Sequence, residues 1–329
     1  MFLLRFDMRR SDPSVDATAL YGAALEMAAW AEREGALLVV VSEHHASDDG
    51  YLPSPLLLAS AIAARTTRLP IQVAALVVPL HDPIRLAEDM AVLDVLSGGR
   101  VSYVVAVGYR AEEYAMFGRA FAERGGRMER CLEALRRAWT GEPFEYEGRR
   151  VRVTPKPVTP GGPTLWMGGN SRVTARRAAR FGMGYLAQGG GDPELAKVYR
   201  DECERLGIPP GPCIVPPDGM VTAAFVAEDP DEAWRRLGPY LLHDAQAYAR
   251  WLGEQGAAVS KSTATTVEAL RTEAGPYRIF TPDEAVAFVR GAGVLPLHPL
   301  CGGIPPELAW ESLELLRTKV LPVLRAPGG

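Results

Sequence analysis

Four stretches of the sequence place chemically able groups where an apolar run gives way to a loop. The first is Ser42-Glu43-His44-His45, after Leu37–Val41. Neighbouring side chains at a strand end point to opposite sides, so at most one of the two histidines faces a given site. An imidazole titrates near neutral pH and can pass a proton to a ligand or hydrogen-bond it. The structural alternative for His44 is a hydrogen-bonded histidine at a rim. The second stretch is Ala74-Ala75, whose small side chains let a flat ligand approach the backbone or serve tight interior packing. In the third, Gly108-Tyr109-Arg110, glycine permits close approach while tyrosine and arginine offer a stacking face and a fixed cation. Against that stands a plain strand-to-helix turn, with Arg110 exposed and paired to Glu112 or Glu113. The fourth, Gly168-Gly169-Asn170-Ser171, opens directly into a helix. Free backbone N–H groups, the helix dipole, the hydroxyls of Ser171 and Thr174, and Arg172 together make an anion site. A capped helix with nothing bound would use the same serine. A second glycine-rich stretch, Gln188-Gly189-Gly190-Gly191, ends the next apolar run and strengthens the phosphate reading. Together the four stretches describe a ligand with a planar, hydrogen-bonding ring and a phosphate tail. Flavin mononucleotide (FMN) or a deazaflavin fits that description.

These groups converge only if the elements carrying them present their ends to one face. Apolar runs with strand character are Phe2–Phe6, Leu37–Val41, Ile71–Val78, Val101–Val107, Leu165–Met167, Gly184–Ala187, Val221–Val226 and Val294–Leu297. Helical patterns separate them, among them Ser14–Glu34, with Leu20, Ala24, Met27 and Ala31 near helical period. A long helical stretch, Ala111–Trp139, is expected to break near Gly125-Gly126, and Thr281 to cap a helix over Pro282–Arg290. Glu142–Val153 reads as a β-hairpin about Gly148, and Gly256–Arg278 as a polar insertion or mobile loop. Eight strands at βα spacing predict an α/β fold, a (β/α)8 TIM barrel with insertions, in which sites form at the C-terminal strand ends. The chain is read as a single barrel domain over residues 1–329, with insertions near 142–163 and 256–278. A dinucleotide-binding open sheet is disfavoured, because no glycine follows the first strand through Asp12.

Composition narrows the function classes. A formal net charge of −4 over 329 residues gives no electrostatic footprint for nucleic acid or an anionic membrane. The longest apolar stretches, Leu56–Ala64 and Ala36–Val41, are far short of the roughly 18–20 residues of a membrane span. The first eleven residues lack the apolar core and cleavage site of a secretory signal, which predicts a cytoplasmic protein. Four scattered cysteines without CxxC spacing, and histidines without HExxH or HxH spacing, predict no metal site.

The sequence resembles the luciferase-like family of flavin- or deazaflavin-dependent oxidoreductases, the bacterial luciferase superfamily. The matching segments are Ser42–His45, Leu80–Asp89 running into Leu93-Asp94-Val95-Leu96-Ser97-Gly98-Gly99-Arg100, Gly108–Arg110 with Phe117-Gly118, Trp139–Glu142, Gly168–Ser171 with Arg176–Ala179, and Trp310–Ser312. The Leu93–Arg100 stretch is the most specific. The resemblance implies a (β/α)8 barrel, a homodimer through helices near the second and third strands, and reduced FMN or coenzyme F420 as cofactor. It places Ala74 and Ala75 beside the flavin ring, joined by a non-prolyl cis peptide, and His44 as the catalytic residue at the ring's reactive edge. By the same resemblance Ser171 and Thr174, with the amides of Asn170 and Arg172, hold the phosphate, and Tyr109 and Arg110 contact ring or tail. Gly169, Gly189 and Gly190 complete the expected cofactor site. Ala106 stands where luciferase-type members often carry a reactive cysteine. The implied activity is a monooxygenase using reduced FMN and O2 on a small organic substrate, its cofactor reduced by a separate flavin reductase. The alternatives are F420-dependent hydride transfer and a non-catalytic flavin-binding partner subunit.

Overall fold

The computed structural model describes residues 1–189, 192–253, 260–273 and 275–326. The strands are β1 (Phe2–Phe6), β2 (Val39–Val41), β3 (Ile71–Val77), β4 (Val101–Ala106), β5 (Phe144–Tyr146), β6 (Arg149–Val151), β7 (Thr164–Gly168), β8 (Gly184–Leu186), β9 (Cys213–Ile214), β10 (Ala223–Val226), β11 (Tyr277–Phe280) and β12 (Leu295–Leu297). The chain divides into two compact units, one of residues 1–40, 47–52 and 216–329, the other of residues 41–46 and 53–215.

In the first unit β1 runs parallel to β12 in the register Phe2↔Leu295 and Leu4↔Leu297. Strand β10 lies parallel to both β12 and β11. Strand β11 falls in the stretch expected to be a polar loop, and the helix Val267–Thr272 precedes it. Within that stretch, residues 256–259 and 274 lie outside the described residues. The helix Ala17–Arg33 buries the expected Leu20, Ala24, Met27 and Ala31, and Asp16 caps it by accepting the N–H groups of Thr18 and Ala19. Thr281 caps Pro282–Ala292 in a reciprocal capping box with Glu284.

In the second unit β3, β4, β7, β8 and β9 pair in that order, all parallel. The antiparallel β5–β6 hairpin is where the turn signals placed it. The break in the long helical stretch falls earlier than expected. One helix covers Ala111–Met116 and the next Arg124–Ala138, so Gly125 and Gly126 lie inside a helix. Strand β3 carries a register shift against β4 between Ala74 and Leu76, and the Ala74–Ala75 peptide is cis.

The motif Leu93–Arg100 proves to be a structural clamp. Arg100 donates to the carbonyls of Ala63, Thr66, Leu69 and Ser97, which locks the end of helix Pro83–Ser97 to the turn before β3. Asp94 is buried and accepts both the N–H and the hydroxyl of Thr159. Among the described residues no helix is long and apolar enough to cross a membrane.

Candidate functional site

The turn after β2 buries all four of Ser42, Glu43, His44 and His45. The two adjacent histidines separate as strand-end geometry requires, each toward a different carboxylate. His44 Nδ1 lies 2.8 Å from Glu113 Oε1, and His45 Nε2 lies 2.9 Å from Glu43 Oε1. Glu113 Oε1 also accepts the His45 backbone N–H and one Arg110 N–H. Burial works to raise the Glu113 carboxyl, but the bonds and charges of His44, His45 and Arg110 outweigh it and hold it below the usual range. With Glu113 ionised, His44 carries its proton on Nδ1 and donates it there. In the neutral ring Nε2 is then an acceptor for the Tyr109 hydroxyl, 3.2 Å away.

Gly108 brings Tyr109 to this position. Its φ of +72° is left-handed, and a Cβ there would sit 2.7 Å from Val77 Cγ1, so only glycine fits. Arg110 is buried rather than exposed. It donates to the carbonyls of His45 and Ala46 as well as to Glu113, so its charge serves the His44–His45 turn. Ala74 and Ala75 are half-buried on β3 of the same unit.

The phosphate-type loop follows β7. Ser171 caps the helix Arg172–Arg180 by accepting the Thr174 N–H, and the two hydroxyls lie 2.8 Å apart. The helix's first N–H groups have no intrahelical acceptor. Gly169 has φ +137°, and a Cβ there would press on the Thr174 side chain at 3.3 Å. Asn170 joins the two glycine-rich loops, donating to the Gly189 carbonyl and accepting the Gln188 N–H. The exposed Arg172 guanidinium donates to Asp192 at 2.9 Å, so its side chain is committed and its backbone N–H is what it can offer a ligand. Gly190 lies outside the described residues.

The structure adds groups that local sequence patterns do not reveal. In sequence, Glu113 reads only as an ion-pair partner of Arg110. Glu43 and His81 form a second network, in which Glu43 accepts His81 Nε2–H at 2.7 Å and the Val77 N–H at 2.5 Å. In the other unit Arg9, fully buried, is ringed by Tyr51, Tyr248 and Trp251 at 4.6, 5.5 and 4.5 Å and pairs with Asp49 and Asp244. Asp7, Asp244, His298 and Cys301 lie close enough in that cluster to suggest a metal site. The donor set argues otherwise. The Arg9 guanidinium stands 2.9 Å from Asp244 and supplies the positive charge. Burial pushes the Cys301 thiol well above its ordinary value, away from the thiolate a soft metal takes.

Comparison with known proteins bears on the family and the fold. The model of the luciferase-like monooxygenase family matches residues 1–286. The oxygenase component of flavin-dependent trigonelline monooxygenase from Acinetobacter baylyi is 24% identical over 244 residues, 70% of this chain and 66% of that one. The chain spans about half the length of the first curated relatives it matches, which are uncharacterised proteins. Among solved structures, monooxygenase RslO1 from Streptomyces bottropensis superposes with a TM-score of 0.73 at 24% identity, over 98% of this chain and 100% of that one. The oxygenating constituent of 3,6-diketocamphane monooxygenase from Pseudomonas putida, solved in complex with FMN, superposes at 0.69 and 18% identity, over 98% of each chain. These likenesses give the chain the luciferase-like TIM-barrel fold. With a family model covering most of its length, the chain belongs to the luciferase-like monooxygenase family.

Proposed function

We propose that the chain is the oxygenase of a two-component system, using reduced FMN and dioxygen to oxygenate a small organic substrate. The observation that carries this reading is that one compact unit holds both the hydroxyl-lined helix start at Ser171 and an imidazole oriented by a buried carboxylate. The trigonelline and diketocamphane relatives, described as an oxygenase component and an oxygenating constituent, support a separate flavin reductase as partner.

The residues fit the cofactor. Ser171 and Thr174 present two hydroxyls at a helix start, and the close seat of Gly169 on Thr174 keeps that corner compact. Glu113 Oε2 is buried without a hydrogen-bond partner among the described residues, an acceptor that a ligand or water N–H or O–H would satisfy. When bound, reduced flavin supplies the two electrons that activate dioxygen. The hydroxyls of Ser171 and Thr174, with the backbone N–H groups of Asn170 and Arg172, hold the phosphate. Gly169 and Gly189, tied through Asn170, shape the loop around it. Ala74 and Ala75 leave room for the ring beside β3, and Tyr109 and Arg110 follow the C-terminal end of the neighbouring strand β4. His44 receives or returns a proton at Nε2, relayed by the Tyr109 hydroxyl, while Glu113 holds Nδ1–H and stabilises the imidazolium. Two copies pair through the helices Pro55–Arg65 and Pro83–Ser97, which expose Leu57, Val92, Val95 and Leu96.

Anaerobic titrations with reduced FMN and with reduced F420 test the cofactor. The expected result is reduced-FMN binding at micromolar Kd or tighter. Binding of F420 alone overturns the FMN assignment. Binding of neither below about 1 mM, roughly −4 kcal/mol, overturns the whole reading.

A further inference from the structure

We infer that Glu43 is a positioning residue whose carboxylate holds the bulged end of β3 against the turn that carries His44. This rests on the proposed function for its consequence in catalysis, while its geometry stands alone.

The carboxylate is buried and fully engaged. Oε1 takes two imidazole N–H groups, from His45 at 2.9 Å and His81 at 2.7 Å, and Oε2 takes the backbone N–H of Val77 at 2.5 Å. The donors come from three places: the turn after β2, the last residue of β3, and the residue that follows the 3-10 turn Val78–Leu80. Val77 lies two residues beyond Ala75, just past the register shift between Ala74 and Leu76. At such a bulge the ladder no longer sets the strand's course, and a side-chain acceptor can re-aim it. His45 is next in the chain to His44. One carboxylate thereby sets the separation between the His44 backbone and the Ala74–Ala75 backbone, the two surfaces that would meet opposite parts of a bound ring.

Glu43 keeps its charge under these donors. Burial raises its carboxyl, but the charge of His81 and the three bonds bring it down to about 2. His81 is the member nearest solvent, its side chain about three-tenths exposed. It faces Glu43 and, more distantly, Asp89, while its own carbonyl accepts from Arg127. Burial lowers the His81 imidazolium, yet the charge and hydrogen bond of Glu43 outweigh it and raise its pKa above the ordinary value. The clamp is therefore tightest while His81 is charged and relaxes as pH rises through its raised pKa.

The test is Glu43→Gln in the full-length chain. Glutamine keeps the length but loses the charge, and its amide N–H groups meet imidazole N–H groups. The expected result is a protection factor for amide exchange at Val77 at least tenfold lower, with Ile71–Val73 unchanged. Oxygen uptake with reduced FMN is expected to fall at least tenfold in kcat while the Kd for reduced FMN moves less than threefold. In the parent chain the Val77 protection is expected to fall as pH rises through the His81 titration, a step absent from the variant. Unchanged protection and an unchanged pH profile in Glu43→Gln overturn the inference. Should that variant fail to fold, His81→Gln decides it: loss of the pH step supports the clamp, and a step that persists overturns it. Because exchange at Val77 needs no cofactor, a parent that binds no FMN refutes the proposed function, while the exchange data still decide the role of Glu43.

Discussion

Replacing Asp7 with asparagine should remove a loss of stability that the parent chain undergoes as pH rises from 5 to 8. Asp7 Oδ1 accepts the Arg9 N–H and Oδ2 the Gly302 N–H, but burial and the nearby charge of Asp244 push its carboxyl up to about 7. The folded state thus binds this proton more tightly than the unfolded chain, where the group titrates at 3.8. Stability from this group is fully present below the unfolded value and is lost as pH rises through the folded one. The shift corresponds to about 4 kcal/mol in total, of which about 2–3 kcal/mol falls between pH 5 and pH 8. His298, 3.5 Å from Asp7, works the other way. Burial, then the charges of Arg5 and Arg9, hold its pKa well below 6.5, so its contribution is lost as pH falls below 6.5. That contribution remains in Asp7→Asn. Urea unfolding followed by tryptophan fluorescence at pH 5, 6, 7 and 8 checks the prediction. Apart from a pH-independent loss from the missing contact with Arg9, the variant should gain on the parent by about 2–3 kcal/mol between pH 5 and pH 8. Parallel curves would refute the reasoning, since Asp7 would then ionise normally inside the fold.

Three further outcomes follow from the site. His44→Ala should lower oxygen uptake with reduced FMN by at least tenfold in kcat while leaving the Kd for reduced FMN within threefold; a fully active variant would make His44 structural. Glu113→Gln removes the charged acceptor of His44 Nδ1, and the loss of one charge-assisted bond, about 1.5–3 kcal/mol, should cost roughly 10- to 150-fold in kcat. Steady-state kinetics across pH 6–9 would show it, and an unaltered pH profile would count against the tautomer assignment. Leu57→Asp with Leu96→Asp should shift the chain from dimer to monomer in light scattering after size exclusion, without loss of secondary structure by circular dichroism.

Strand positions were legible because buried parallel strands read as continuous apolar runs; Phe2–Phe6 matches in full, and Ile71–Val78 and Val101–Val107 match to one residue. Tyr277–Phe280 was hidden because it is four residues long with one exposed arginine, inside a polar stretch. The two-residue Cys213–Ile214 carries too little pattern to register. The site divides in the same way. His44, Tyr109, Ser171 and Thr174 are candidates from local residue types and spacing, each with a structural alternative that the pattern leaves open. Glu113 and Glu43 act through partners 69 and 34 residues away, a relation that no local pattern encodes. The Arg9 cluster gathers residues as far apart as Asp7 and Gly302. The most specific motif, Leu93–Arg100, reports the family through a backbone clamp rather than through chemistry, which is why it identifies the fold better than the reaction.

On the proposed function this chain holds reduced FMN by its phosphate at the start of helix Arg172–Arg180. The direct measurement is an anaerobic titration of reduced FMN into the parent and into Ser171→Ala/Thr174→Ala, side by side. Micromolar or tighter binding to the parent is expected. The double variant should lose at least tenfold, since each charge-assisted hydrogen bond is worth about 1.5–3 kcal/mol. Equal affinity in the two chains, or no binding to the parent, would contradict it.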